Sequence, residues 1–206
     1  SARVYYNNYI KLAVNDDYKG FSNLQIGLCF EISGNRKEAI KYYEKSSDGN
    51  SDIEEDLFAE RKGNDFEERK LSTNEIRLIK ISNLIKQNKL GVAKDSLESY
   101  LEQNKINNDL KAEALLYLSQ ISYKQRRFQE SLDYAVDCIN TEMEIERWVH
   151  AYAYYVGAWN SYNQKKFVEA KLFLLQIDNL EDYDFRNSLE NKIYTLQRLL
   201  PEESNK

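Results

Sequence analysis

The feature that most constrains the fold is a unit of two short amphipathic patterns that recurs along the chain. Copies begin at Leu24 (LQIGLCFEISGNRKEAIKYYEKS), Leu115 (LLYLSQISYKQRRFQESLDYAVDC) and Tyr154 (YYVGAWNSYNQKKFVEAKLFLLQI). In each copy a first helical pattern with small residues in mid-face is followed by a polar break and a [FR]-x-E-[AS] step into a second helical pattern. Because one such hairpin cannot bury its apolar face alone, the repetition predicts hairpins stacked on their neighbours.

These units resemble the tetratricopeptide repeat (TPR), a helix–turn–helix unit of about 34 residues. The resemblance implies an all-α fold, a TPR-like α-solenoid of stacked antiparallel helix hairpins whose concave face binds another protein or peptide. The composition is compatible, since one proline and seven glycines in 206 residues leave few helix breakers. A hydrophobic content of 42% is enough for a packed core. We therefore expect one helical architecture without a sheet.

The small residue of each second helix sets the register of the units. The aligned positions are Ala39, Ala93, Ser131 and Ala170, which lie 54, 38 and 39 residues apart. We expect repeats at 18–49, 72–106, 107–144 and 145–180, a helix of an upstream or partial unit at 1–17, a C-terminal capping helix at 181–200 and a tail at 201–206. The capping helix is predicted from an apolar stripe that includes Leu189 and Leu196, with Pro201 as its stop.

The first separation leaves about 20 extra residues, which we interpret as an acidic insertion at 50–71. From Ser51 to Lys70 the chain has eight acidic and four basic residues. One short helix over 52–62 is predicted, ending at Gly63 and Asn64 because glycine and asparagine favour turns. The insertion is interpreted as a solvated linker; an acidic docking segment or a lid over the groove is the alternative.

Helix boundaries follow from apolar periodicity and from capping residues. The predicted helices are 2–15, 18–33, 36–48, 52–62, 73–88, 90–103, 109–125, 128–141, 145–164, 167–178 and 184–200. Ser72 or Thr73 before Glu75 predicts a capping box, and the residues before Leu110 predict another helix start.

Candidate partner-binding residues follow from the positions that the first helix of a TPR unit presents to the concave face. They are Phe21, Leu24, Leu28, Leu116, Gln120, Tyr123, Tyr152, Tyr155, Trp159 and Tyr162. Tyrosine and tryptophan make good anchors because they bury a large area and keep a polar tip. The Lys, Asn and Arg set with which chaperone adaptors of this superfamily hold a C-terminal carboxylate is missing at these positions, which favours an apolar or aromatic ligand. The alternative is that the aromatic residues at 152–162 pack in the core and that the last helix occupies the groove.

Other functional classes have little support in the residues. The net charge of −5 disfavours nucleic acid, and the basic residues at 36–37, 124–127 and 165–166 suit solvated hairpin turns. Cys29 and Cys138 lack C-x-x-C spacing and are interpreted as buried thiols, and His150 as a residue at a helix start. We expect no catalytic residue, no metal site and no cofactor, and therefore no enzyme.

The sequence predicts neither a membrane span nor a nucleic-acid ligand. Its longest run of apolar or glycine residues, Ala151 to Trp159, is much shorter than the roughly 20 residues that cross a bilayer. Since the chain begins at Ser1, we interpret it as a piece of a longer protein whose targeting segment is not visible. A cytoplasmic location is expected, with the nucleus as an alternative.

The C-terminal end carries a narrower resemblance. ERW at 146–148, FVEA at 167–170 and EDYDF at 181–185, followed by the last helix, are similar to the end of the tetratricopeptide repeat domain 39 and inclusion-body clearance family. The resemblance implies a non-enzymatic intracellular protein that acts in clearance of aggregated protein or in lipid homeostasis. Two alternatives stay open: a bacterial periplasmic or lipoprotein accessory protein with TPR units, and a structural subunit of a larger assembly whose oligomeric state is unknown.

Overall fold

A computed structural model describes residues 2–103 and 105–201, and every regular element in those ranges is helical. Only Pro201 of the predicted tail falls within them. The α-helices are α1 (Ala2–Leu12), α2 (Lys19–Ile32), α3 (Arg36–Tyr43), α4 (Glu54–Glu68), α5 (Thr73–Lys86), α6 (Leu90–Leu101), α7 (Asn108–Lys124), α8 (Phe128–Ile139), α9 (Trp148–Asn163), α10 (Phe167–Asp178) and α11 (Arg186–Gln197). A 3₁₀ helix, Glu44–Asp48, continues α3. The chain forms two compact units, one ending at Ile76 and one beginning at Arg77.

The predicted helix positions agree with these bounds to within a few residues, except for α4. Predicted capping residues act at two starts. Ser72 Oγ accepts from Glu75 N at 3.2 Å while Ser72 N donates to the Glu75 carboxylate at 2.7 Å, which is the reciprocal capping box. Asn107 Oδ1 accepts from Leu110 N at 2.9 Å. These contacts satisfy backbone donors that have no partner within the helix.

Four hairpin turns have the same backbone structure. Each has one residue in the left-handed region, namely Gly34 (φ 81°), Asn88 (φ 57°), Arg126 (φ 61°) and Lys165 (φ 62°). In every turn the N–H of the following residue donates, at 2.9 Å, to the carbonyl five residues before it; the pairs are Asn35 to Phe30, Lys89 to Leu84, Arg127 to Ser122 and Lys166 to Ser161. This is the helix C-terminal motif in which a left-handed residue lets the last carbonyls find donors. The left-handed residues recur at the same 54-, 38- and 39-residue separations as the predicted units.

The second unit is held by three successive apolar clusters. The first joins α5, α6 and α7 through residues such as Leu97 and Leu118. The second joins α7, α8 and α9, with Leu116 and Val149 among its members. The third joins α9, α10 and α11, and includes Leu189. Since α7 and α9 each belong to two clusters, each of them packs against helices on two sides.

The four aligned small residues, Ala39, Ala93, Ser131 and Ala170, are fully buried, as the register requires. Ser131 shows why a small polar residue fits there. Its hydroxyl donates to Ser119 O at 2.7 Å, and Ser119 Oγ donates back to Ser131 O at 2.7 Å. Asn160 Nδ2 also donates to Ser131 Oγ at 2.7 Å. This polar contact links α7, α8 and α9 inside the apolar interior.

The segment interpreted as an acidic insertion contains a packed helix. The prediction that a helix ends at Gly63 and Asn64 is wrong, because α4 runs without interruption to Glu68. Ala59, Gly63 and Phe66 are buried, and α4 packs against α2, α3 and the 3₁₀ helix. A solvated linker is therefore not what this part of the chain forms, although its outer face is charged.

Two features of α4 fix it in the first unit. Asp56 is buried, and its carboxylate accepts from Phe21 N at 2.8 Å and from Asn50 N at 2.9 Å. It therefore caps the N-terminus of α2 from another helix, where an anion is also favoured by the helix dipole. Gly63 lies against the 3₁₀ helix: a Cβ atom placed on it would be 2.8 Å from Tyr43 O and 2.7 Å from Ser46 Cβ. Only glycine permits this approach.

The last helix, predicted at 184–200, spans Arg186–Gln197; Leu189, Ile193 and Leu196 within it are buried, as is Leu200 beyond its end. The first helix differs from the last, because no residue of α1 is buried. Arg3 places its guanidinium over the Phe30 ring at 4.6 Å, and Tyr9 Oη donates to Asp17 O at 2.9 Å. These contacts hold α1 against the first unit.

Candidate functional site

The second unit contains an open aromatic pocket with a volume of about 470 Å³. Its lining residues are Gln120 and Tyr123 of α7, Tyr152, Tyr155, Val156 and Trp159 of α9, and Lys192 of α11. Five of the ten candidate partner-binding residues are therefore brought together here. The volume falls within the range of about 300–1,000 Å³ that is usual for ligand pockets.

Helical spacing explains why α9 contributes four of these side chains. Tyr152, Tyr155, Val156 and Trp159 are related by three, four and seven residues, so they share one face of the helix. Small residues of the same helix, such as Ala151 and Ala158, are buried in the third apolar cluster, where they let α9 pack closely. Gln120 and Tyr123, three residues apart on α7, supply the facing wall.

The aromatic rings of the pocket hold one another edge to face. Tyr155 and Trp159 have ring centroids 6.4 Å apart at an interplanar angle of 86°, and Trp148 meets Tyr152 at 6.0 Å and 80°. These are the favoured quadrupole arrangements. On the other side, Asn163 Nδ2 donates to Tyr123 Oη at 3.2 Å. The walls are thus built from rings with restricted orientations.

Lys192 supplies the single charged group of the lining. Its ammonium lies 5.0 Å from the centroid of the Tyr152 ring and donates to Tyr152 Oη at 3.3 Å. A cation over an aromatic face is attracted by the ring quadrupole. No carboxylate lies within ion-pair distance of this ammonium among the residues that the structure describes. On the same helix, Glu190 pairs with Arg186 at 2.9 Å.

The pocket is partly shielded from water, and this changes the ionisation of its hydroxyl groups. Burial raises the pKa of the Tyr155 hydroxyl above its ordinary value, and the neighbouring hydroxyls of Tyr123 and Tyr152 add to this rise. None of the seven lining residues, all of which the structure describes, is acidic. The pocket therefore combines apolar walls and neutral hydroxyls with one positive charge at its edge.

The other five candidates lie elsewhere. Leu24 and Leu116 are 1% and 0% exposed and form part of the core, so the prediction that they contact a partner is corrected. Phe21 and Leu28 are half-buried on α2, in the first unit. Tyr162 packs between Trp159 and the first residue of α10, with ring centroids 5.6 Å and 5.8 Å away. The ten predicted positions thus include both pocket residues and core residues.

The cysteines and the histidine have structural surroundings. Cys138 is buried and donates through Sγ to Ala112 O at 3.2 Å, and burial raises the pKa of its thiol to about 12. Cys29 was predicted to be buried but is only half-buried. His150 Nε2 lies 2.9 Å from Thr141 O and 3.1 Å from Cys138 O, so it carries the proton and donates. His150 therefore ties the start of α9 to the end of α8.

Within 2–103 and 105–201, no group of three His, Cys, Asp or Glu side chains could hold a metal ion. In that range there is also no helix that is both long and apolar enough to cross a membrane.

Sequence analysis missed two lining residues, Val156 and Lys192. Val156 could have been found, because it lies four residues after Tyr152 on the same face of α9. Lys192 has no such signal, since its place beside Tyr152 depends on how α11 folds back, 40 residues later. Comparison with protein-family models, with curated proteins and with solved structures finds no match for the chain.

Proposed function

We propose that this chain is a non-enzymatic interaction module of stacked TPR-like hairpins, and that its aromatic pocket holds an apolar or aromatic side chain of a partner protein. The carrying observation is the pocket itself, with Tyr123, Tyr152, Tyr155 and Trp159 around an open volume of about 470 Å³. Convergent aromatic side chains in a concave, partly dry surface are the usual basis of an anchor site, because a bound side chain removes much apolar area from water.

The TPR-like part of the proposal is supported by the recurrence of one hairpin turn. Left-handed residues with the same hydrogen bonds recur at Gly34, Asn88, Arg126 and Lys165, in register with the sequence units. In the second unit, α7 and α9 each pack on both neighbouring hairpins. Units that rely on their neighbours for burial are the defining property of helical repeats.

The cellular setting that we propose rests on the resemblance of residues 145–200 to the inclusion-body clearance family. In this setting the protein is a cytoplasmic scaffold that takes part in clearance of aggregated protein or in lipid homeostasis. The bacterial accessory protein remains the alternative setting. Either way, the pocket would act by binding rather than by chemistry.

A peptide titration tests the pocket. Acetylated and amidated nine-residue peptides with a central Phe, or with Ala in its place, are titrated into the ¹⁵N-labelled protein while the Trp159 indole N–H signal is followed. We expect the Phe peptide to shift this signal and the Ala peptide to bind at least about tenfold more weakly, since an anchor ring buries 150–250 Å². Equal effects of the two peptides, or none from either, would contradict the proposed function.

Two variants place the binding in the pocket. Gln120 is half-buried and lines it, so Gln120→Phe would fill the cavity from α7. The matched control is Gln176→Phe, at an exposed position of α10. We expect Gln120→Phe to weaken binding of the Phe peptide about tenfold and Gln176→Phe to leave it unchanged, with the same helicity in both variants. Direct truncation of Trp159 is less informative because this ring also packs against the core.

A structural role is a second candidate, favoured by exposed apolar side chains on α10 and just after α11. Leu172, Leu175 and Leu199 are 55%, 54% and 49% exposed. Such a surface suits contact with another copy or another subunit. Light scattering over a dilution series tests it, since a concentration-dependent mass would favour an assembly contact and a constant monomer mass would exclude self-association.

A further inference from the structure

The geometry points to a charge preference in the aromatic pocket: its occupant is a partner segment in which an Asp or Glu side chain lies one or two residues from the apolar anchor, and Lys192 binds that carboxylate. The inference rests on the proposed function and adds the chemistry of the partner. The acidic group is a side chain within the partner segment and not a chain terminus. The residue that binds it, Lys192 of α11, is not among the positions predicted from the sequence.

The pocket is complementary in charge to an acidic side chain. Lys192 is exposed, lines the pocket and has no carboxylate partner among the described residues. Its contacts are the ring and the hydroxyl of Tyr152, which fix the ammonium at the edge of the cavity and leave some of its donors directed to water. An ammonium next to an apolar surface interacts more strongly with a carboxylate than a fully solvated one does, because part of the surrounding water is excluded.

Acidic residues elsewhere on the chain do not cancel the positive charge of the pocket. The chain has a net charge of −5, which would repel an acidic partner at long range. Charges more than about 10 Å away are largely screened at 0.1 M salt, so the groups lining the pocket decide. Those groups carry one positive and no negative charge. Glu190 is neutralised by Arg186 at 2.9 Å, so it does not offset Lys192.

The lining residues favour an acidic side chain over a chain terminus and over a ligand cation. A terminal carboxylate is normally held by several convergent cationic and amide donors, whereas the lining supplies one ammonium, one amide and tyrosine hydroxyls. A ligand cation would compete with Lys192 for the face of Tyr152 and would be repelled by it. An apolar anchor with a nearby side-chain carboxylate uses both the rings and the ammonium.

The experiment uses peptides that differ only in charge. The central Phe is kept, and the residues two positions before and after it are Asp, Asn or Lys in three acetylated and amidated peptides. A fourth peptide has Asn and a free C-terminal carboxylate directly after Phe. Affinities come from the Trp159 indole shift. We expect the Asp peptide to bind about five- to tenfold more tightly than the Asn peptide at 0.05 M salt, with the Lys peptide weakest. The difference should shrink at 0.5 M salt.

Variants of Lys192 identify the residue responsible. Lys192→Gln removes the charge but can still donate to Tyr152, so it should abolish the preference for Asp, measured as the ratio of the affinities of the Asp and Asn peptides for the same variant. Lys192→Arg should restore the preference, and Lys192→Glu should reverse it towards the Lys peptide. Lys111→Gln is the control, because Lys111 is exposed on α7 more than two turns from Gln120.

The outcomes are distinct. Equal binding of the Asp and Asn peptides overturns the charge inference and leaves the proposed function standing. Tightest binding of the Lys peptide, or of the peptide with the free terminus, also overturns it, in favour of a cation or a chain end. If no Phe peptide shifts Trp159, the proposed function and this inference fail together. If the preference for Asp persists in Lys192→Gln, another residue binds the peptide carboxylate, and the role of Lys192 is overturned.

Discussion

The close contact between α4 and the 3₁₀ helix can be tested by adding one methyl group at Gly63. In the structure Gly63 is buried, and a Cβ on it would lie 2.8 Å from Tyr43 O and 2.7 Å from Ser46 Cβ. Ser46 is fully buried, and its hydroxyl donates to Tyr43 O at 2.5 Å. Gly63→Ala therefore forces either the helix or this hydrogen-bonded turn to move.

The expected magnitude combines three effects. Overpacking of a well-packed site costs about 1–3 kcal/mol. Disturbing the buried Ser46 hydroxyl adds about 1 kcal/mol, the net value of a typical hydrogen bond. Alanine is better than glycine in a helix interior by about 1 kcal/mol, which acts in the opposite direction. We expect Gly63→Ala to lower the free energy of unfolding of the first unit by about 2 kcal/mol.

Urea unfolding followed by far-UV circular dichroism measures the change, and hydrogen exchange of peptides from α2 and α4 locates it. The matched control is Gly91→Ala in α6, where a Cβ would meet nothing within 4 Å. That substitution should be neutral or stabilising by up to about 1 kcal/mol, because only helix propensity changes. Faster exchange should be confined to the first unit in Gly63→Ala.

The sign of the effect decides between two structures of this segment. If residues 50–71 were a solvated linker with a helix end at Gly63, alanine would be harmless there, or stabilising like Gly91→Ala. A free energy of unfolding for Gly63→Ala equal to or above that of the original chain would therefore refute the packed arrangement of α4.

Three further predictions concern the turns, the thiols and the polar interior. Gly34→Ala should lower the free energy of unfolding in urea by about 1 kcal/mol, because φ at this position is 81°. Gly34→Asn should cost less, since Asn88 adopts the same left-handed region in its turn; equal losses for the two variants would contradict this. A Cys138 thiol with a pKa of about 12 keeps its proton while the unfolded thiol loses it above about pH 8.5, so stability falls as pH rises. Between pH 8 and 10 this contributes a loss of about 1.9 kcal/mol that Cys138→Ala removes; an unchanged pH slope in Cys138→Ala would disprove it. Asn160→Asp should destabilise by about 3 kcal/mol at pH 7, more than Asn160→Ala, because it buries a carboxylate; the reverse order in thermal melts would refute that burial.

Most of the local structure was predictable because it depends on residues close together in the chain. Helix periodicity, capping residues such as Asn107 and the small residues at the hairpin contacts all act within a few turns. The hairpin turns followed from the polar breaks, although Arg126 and Lys165 occupy left-handed positions where glycine is more usual. These features needed no knowledge of which helices meet.

The error at Gly63 has a physical reason. Glycine weakens an isolated helix, so local preference predicts an end there. In the folded chain the same residue allows α4 to lie against the 3₁₀ helix, and the tertiary contact outweighs the propensity. A signal was present, since Asp56, Ala59, Gly63 and Phe66 fall on one face of a helix and all four are buried.

The candidate site was predictable in part, because spacing within one helix determines which side chains share a face. Tyr152, Tyr155 and Trp159 share a face by spacing alone, and this placed them together correctly. Leu24 and Leu116 occupy equivalent positions yet are buried, because neighbouring helices cover them. Position in a repeat specifies the face of a helix but not what packs against that face.

The sequence alone determined that this chain is helical, where its hairpins turn, and which aromatic side chains share one face of α9, because these depend on backbone preferences and on spacing within a helix. Only the tertiary structure decided that α4 is part of a core, that some groove candidates are interior, and that Lys192 lies beside Tyr152. Those outcomes depend on contacts between distant segments, whose free energy is set by shape and burial in the folded chain and by no local pattern.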